Sequence, residues 1–188
     1  MRVGIFDLET TSFYADSGIV LCAVIQSYHS DKQTIIRADQ FKSWKQNKSD
    51  NKELVERTVK ELKEYDILVA HNGQWFDKGF LNAKCLQYGL SPSIRWKKFV
   101  DPVLLARRHL KLGRNSLAAI IDFLEIPVKK TPLELRLWQK AAMDSNDAAR
   151  AAMNKIVEHC VYDVKTLTLV YDKVRVLVDK IDNRGSSF

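Results

Sequence analysis

The chain has 188 residues, enough for one domain with a sizeable core, and its 46% hydrophobic and 28% charged residues are those of an ordinary water-soluble globular protein. No apolar run approaches the roughly 20 residues of a membrane span, and the N-terminus lacks the apolar core and small-residue cleavage site of a signal peptide. The net charge of +7 excludes a strongly acidic binder, and the three cysteines, Cys22, Cys85 and Cys160, form no C-x-x-C pair and suggest neither a zinc site nor a disulfide framework. A reducing cytosol is the simplest setting for them.

Residues 2–8 read as a first strand. It is followed by a Val-, Ile- and Leu-rich strand over Gly18 to Tyr28 and a short one over Gln33 to Ala38. The brief connection at His29–Lys32 predicts a hairpin between the last two. Residues 43–52, SWKQNKSDNK, are polar and read as a loop. Leu54, Val55, Val59 and Leu62 recur at helical spacing and predict an amphipathic helix over 52–64. Ile67 to Ala70 is a buried-type strand, and Phe76 to Tyr88 a helix stopped by Gly89. A short strand has room near Lys98–Val100. Helices follow over Asp101 to Leu110, from an Asn115 or Ser116 cap through Leu124, and from Pro132 to about Ala142. The last runs from about Asn146 to Asp179, with room for a break. Antiparallel strands followed by a β-α-β crossover predict an α/β fold: a mixed five-stranded sheet flanked by helices. With no repeat or linker visible, residues 1–180 read as a single domain and 181–188 as a flexible tail.

The first strand ends in FDLETTSF. In a strand, residues i and i+2 share a face, so Asp7 and Glu9 project the same way. Two neighbouring carboxylates repel, and burial worsens the cost. A divalent cation would relieve it. A second acid, Asp77, follows the strand end His71–Asn72, where it reads equally well as a residue of the first helical turn. In EHCVYDVKTL, His159 and Asp163 are four apart and share one helix face with Leu167 and Val170. A buried Asp there needs a partner or a metal, whereas His159 alone reads as a core histidine. Tyr162 lies more than a quarter-turn away and points elsewhere.

These motifs supply four carboxylates, which suit hard ions such as Mg²⁺ and Mn²⁺, and one imidazole, which can take a proton from a bound water. Two such ions about 4 Å apart activate a water and stabilise the leaving oxygen of a phosphodiester. Basic residues gather in Arg95–Lys98, in Arg107–Arg114 and at Lys129–Lys130, which fits a polyanionic partner as well as it fits solvated helix faces.

With these motifs in order, the chain resembles the DEDD (DnaQ-like) superfamily of 3′–5′ exonucleases, which have a ribonuclease-H-like fold. FDLETTSF resembles the first exonuclease motif, AHNGQWFDKGFL the second and HCVYDV the third; VDPVLLARRHLKLGRNSLAAIIDFLEI is similar to the intervening section. The likeness spans about residues 2 to 175. It implies a metal-dependent exonuclease that hydrolyses single-stranded nucleic acid, DNA or RNA, from its 3′ end to nucleotide 5′-monophosphates. It further implies that Asp7 bridges two metals, that Glu9 and Asp163 complete one site, that Asp77 holds the second metal and that His159 is the general base. Thr10, Thr11 and Asn72 match positions near the terminal nucleotide, and Phe13 and Trp75 are stacking candidates. The chain departs from the family in having Ser12 and Phe13 after the threonine pair, and in carrying a histidine at the Tyr-x3-Asp spacing of the third motif. Two other readings stay open: a nucleic-acid-binding module without catalysis, and a structure-specific endonuclease on the same scaffold. The enzyme reading is compatible with a free-standing nuclease, with a subunit serving a separate polymerase or other replication protein in DNA repair or replication, and with a phage or mobile-element origin.

Overall fold

The structure, a computed structural model, describes residues 1–128, 134, 136–143 and 146–182. Strands β1 (Val3–Thr10), β2 (Val20–Ser27) and β3 (Gln33–Arg37) come first. Helices α1 (Lys42–Gln46) and α2 (Lys52–Leu62) lead to β4 (Ile67–Val69), α3 (Asp77–Gln87) and β5 (Lys98–Val100). Then follow α4 (Pro102–Leu105), α5 (Leu117–Phe123), α6 (Arg136–Met143) and α7 (Asn146–Asp182).

The five strands form one mixed sheet in the order β3-β2-β1-β4-β5. The β1–β2 and β2–β3 pairs are antiparallel, whereas β4 lies parallel to both β1 and β5. This is the expected fold class, and its order puts β1 at the centre of the sheet. Residues Val20 through Gln26 of β2 are all buried, because α2 covers one face of the sheet and α7 the other. The stripe that predicted α2 is the stripe it buries: Leu54, Val55, Val59 and Leu62, with Thr58 added. Such burial stabilises by about 1.5–3 kcal/mol per large aliphatic side chain. Gly89, at φ +67, supplies the left-handed residue that ends α3.

Three local expectations need correction. Residues 43–52 are not wholly loop: α1 forms there because Trp44, 2% exposed, anchors the polar stretch to the core. One buried indole outweighs the surrounding polarity. The helix expected over 101–110 is α-helical only through Leu105; Ala106–Leu110 is a π-helical turn, closed by Lys111 in the left-handed region at φ 51. The last helix has no break. It runs 37 residues, which is about 55 Å at the α-helical rise, and reaches Asp182, three residues past the expected end at Asp179. Lys129, Lys130 and Pro132 lie outside the described residues, as does most of the 181–188 tail. No described helix is long and apolar enough to cross a membrane.

Candidate active site

The site begins with the alternation of β1. Ile5 and Phe6 are fully buried and Leu8 nearly so, which fixes the strand's register between the two helical layers. Asp7 and Glu9 then fall on the face covered by α7. The register slips between Glu9 and Thr10, a bulge-like irregularity at the point where the acids end. The thiol of Cys160, on α7, lies 3.3 Å from Asp7 Oδ2 and donates to it. The indole Nε1 of Trp138, on α6, donates to Glu9 Oε2 at 2.7 Å. Ligand atoms of Asp7, Glu9 and Cys160 lie within 4.8 Å of one another.

Asp77 enters from α3 and Asp163 from α7. Each is linked electrostatically to Asp7, which lies between their elements. Burial first, and the Asp163 carboxylate second, push Asp7 up to about 7, against the Cys160 thiol and the Leu8 backbone amide. Burial, then Asp7, pushes Glu9 up to about 9, against the Trp138 donor. Asp77 is also held well above the usual carboxylate range, by burial first and by Asp7 second. Asp163 is raised by burial and lowered by His159, whose Nε2 lies 3.4 Å from Asp163 Oδ2. Among the described residues, His159 is the only basic side chain in these influences, and no described lysine or arginine offsets the four acids.

The loop between β4 and α3 carries the second motif. Asn72 takes the left-handed conformation, at φ 59. Gly73 packs so closely that an added Cβ would stand 2.2 Å from the Ala70 Cβ. The loop is tied to Asp101, whose carboxylate accepts the backbone N–H of Asn72 at 3.0 Å and of Gln74 at 3.3 Å, while it caps α4 through Val103 N–H at 2.9 Å. The Asp-Pro dipeptide signals the cap; the second job, holding the loop that leads to Asp77, has no sequence signal.

The remaining candidates sit on the rim. Thr10 Oγ1 donates to Ser12 O at 2.7 Å and Thr11 Oγ1 accepts from Ile19 N–H at 3.1 Å, so both hydroxyls brace the β1–β2 connection. Phe13 is 85% exposed and stands edge-on to Phe76, with ring centroids 6.0 Å apart. Trp75 is 75% exposed, and Asn72 is exposed beside it. Trp138 and Cys160 were missed as site neighbours. For Cys160 the helix period held a usable signal, since it stands three residues before Asp163; for Trp138 there was none.

The residues fit divalent metal ions. The donor set is carboxylate oxygen, suited to hard ions. Asp77, 1% exposed, has an Oδ1 with no hydrogen-bond partner among the described residues. A buried carboxylate oxygen without a partner is costly, and a cation removes that cost.

A central strand ending in acids, within a mixed sheet of this order, defines a ribonuclease-H-like nuclease fold. The chain belongs to the RNase H superfamily: the RNase_H_2 family model matches residues 5–175, a span that takes in all four carboxylates and His159. Among solved structures it is similar to the family B DNA polymerase from the hyperthermophilic archaeon Pyrobaculum calidifontis, with a TM-score of 0.66 at 16% identity. The match covers 92% of this chain and 24% of that one, so the chain spans about a quarter of the polymerase's length. At that identity the likeness speaks for the fold. No curated protein matches the sequence.

Proposed function

We propose that the chain is a metal-dependent 3′–5′ exonuclease that hydrolyses phosphodiester bonds of single-stranded nucleic acid, releasing nucleotide 5′-monophosphates. The observation that carries this reading is the convergence of acids from β1, α3 and α7 beside a histidine, with no lysine or arginine among the described residues to neutralise them. A pure binding module has no use for such a cluster, which destabilises the chain and repels a polyanion.

Asp7, Glu9, Asp77 and Asp163 hold two divalent cations, Mg²⁺ or Mn²⁺. When bound, these supply Lewis-acid activation of the attacking water and of the leaving oxygen. His159 takes the water's proton at Nε2, and Asp163 Oδ2, 3.4 Å away, stabilises the imidazolium that forms. Trp138 and Cys160 orient the Glu9 and Asp7 carboxylates through their hydrogen bonds. Phe13 and Trp75 offer exposed rings on which terminal bases stack, and Asn72 and the Thr10–Thr11 loop sit where the last nucleotide is held.

The test is to incubate 5′-labelled single-stranded DNA and RNA with the protein in Mg²⁺, Mn²⁺ or EDTA, beside an Asp7→Ala control. A metal-dependent ladder shortening from the 3′ end, absent in the control, supports the exonuclease and names the polymer. Internal fragments point to an endonuclease. Intact substrate in every lane, with binding retained, leaves a non-catalytic module.

A further inference from the structure

A second feature lies beyond the acids, at the free edge of the sheet. A cleft of about 340 Å³ opens along β5, lined by Lys78, Lys97, Lys98 and Arg108 with Phe99 among its apolar residues. The cations come from different parts of the chain: Lys78 from α3, Lys97 and Lys98 from the edge strand and its approach, Arg108 from the π-helical turn. Lys97 is a structural post, since its Nζ donates to Lys63 O at 2.7 Å and Tyr65 O at 2.6 Å. Lys78 Nζ stands 5.2 Å over the Phe99 ring, while Lys98 and Arg108 are exposed. Among the described lining residues Asp101 is the one acid, and it is buried and turned toward backbone N–H groups.

Lysines on an edge strand also deter stray β-pairing. That role does not account for Lys78 or Arg108, which belong to other elements yet meet in the same cleft. A π-helical turn is an uncommon, costly insertion, often found where a site is built. The cleft is also lined by Gln74, from the loop that carries Asn72 and leads to Asp77, and by Asp101, which anchors that loop, so the loop borders both the cleft and the acids. The four carboxylates repel a polyanion, and affinity for a strand must therefore come from cations elsewhere.

We propose that this cleft binds the phosphodiester backbone of the substrate strand away from its reacting end, with Lys78, Lys98 and Arg108 as the phosphate contacts. The proposal rests on the nuclease reading above. It makes binding depend on strand length: a trinucleotide occupies the acidic site, and a longer strand passes over Gln74 and Trp75 into the cleft.

The experiment compares wild type, Lys98→Glu/Arg108→Glu and a charge-matched control, Lys32→Glu/Lys52→Glu, whose residues are exposed and outside the cleft lining. Equilibrium binding of 3- and 20-nucleotide labelled strands is measured with Ca²⁺ replacing Mg²⁺, across a salt series. The cleft variant is expected to lose about 10-fold or more of the long-strand advantage, and its log-affinity salt slope to flatten by about 1.4, two single-strand phosphate contacts. The control keeps both. Wild-type shortening of the 20-nucleotide strand in Mg²⁺ is read alongside. Shortening by wild type with a full length advantage in the cleft variant overturns the cleft and leaves the nuclease standing. Neither binding nor shortening by wild type overturns the nuclease reading and the cleft with it. Displacement of the long strand by polyglutamate of equal charge, from wild type but not from the variant, assigns the cleft to an acidic polypeptide and overturns the proposal.

Discussion

Trp138 and Glu9, 129 residues apart in sequence, meet through an indole N–H donated to a buried carboxylate at 2.7 Å. The donor favours the ionised form of Glu9, against the burial that pushes it up to about 9. Removing it with Trp138→Phe raises the Glu9 pKa further and leaves less carboxylate to hold a cation at neutral pH. A hydrogen bond to a charged group contributes about 1.5–3 kcal/mol, so Mn²⁺ affinity at pH 7 is expected to fall about 10-fold or more. The deficit narrows as pH rises toward 9 and above. Calorimetric titration at two pH values checks it, and an unchanged affinity at pH 7 rules out this role.

The raised acids set the pH dependence of stability without metal. Each binds its proton more tightly folded than unfolded, so between about pH 4 and the folded values, about 7 for Asp7 and about 9 for Glu9, the native state holds more protons. Stability of the metal-free protein therefore falls as pH rises through that window. The thermal midpoint in EDTA is expected to be higher at pH 5 than at pH 8, and Mg²⁺ or Mn²⁺ to raise it more at pH 8. Asp7→Asn removes a buried charge; it should raise the metal-free midpoint at pH 8 by several degrees, at about 2–4 °C per kcal/mol, and reduce the metal response. Thermal scans at both pH values decide the matter; a midpoint that climbs with pH in EDTA contradicts the account.

Asp101→Asn tests the loop anchor. The carboxylate accepts from three backbone N–H groups, and an amide offers one oxygen and turns donors toward donors. A loss of about 2–3 kcal/mol in urea unfolding is expected, with lowered turnover because the loop leading to Asp77 loosens. Full activity with reduced stability would confine Asp101 to capping α4.

His159 and Tyr162 compete for the role of base, and paired variants separate them. His159→Phe is expected to lower kcat by about 10²- to 10⁴-fold while strand binding persists. The Tyr162 hydroxyl is buried and has no hydrogen-bond partner among the described residues, so Tyr162→Phe should leave turnover nearly unchanged and cost little stability. The opposite pattern in single-turnover kinetics would hand the role to the tyrosine.

Much of this was legible in the sequence, because it depends on local periodicity. The β1 alternation alone puts Asp7 and Glu9 on one face, and the helix period alone puts His159 beside Asp163. The strand and helix order was enough for the mixed sheet. Failures arose where a distant contact overrode a local pattern. Trp44 turns a polar stretch into α1 by reaching the core.

By itself, then, the sequence determined the elements, the faces they present and the acids those faces carry, since these rest on neighbours two to four residues apart. Only the tertiary structure decided what meets those acids. Cys160 reaches Asp7 across 153 residues, Trp138 reaches Glu9, and Asp101 reaches the loop before Asp77. The cleft joins cations from three separate parts of the chain. Such meetings depend on how α6, α7 and the β5 edge settle against the sheet, and that is set by the packing of the whole core.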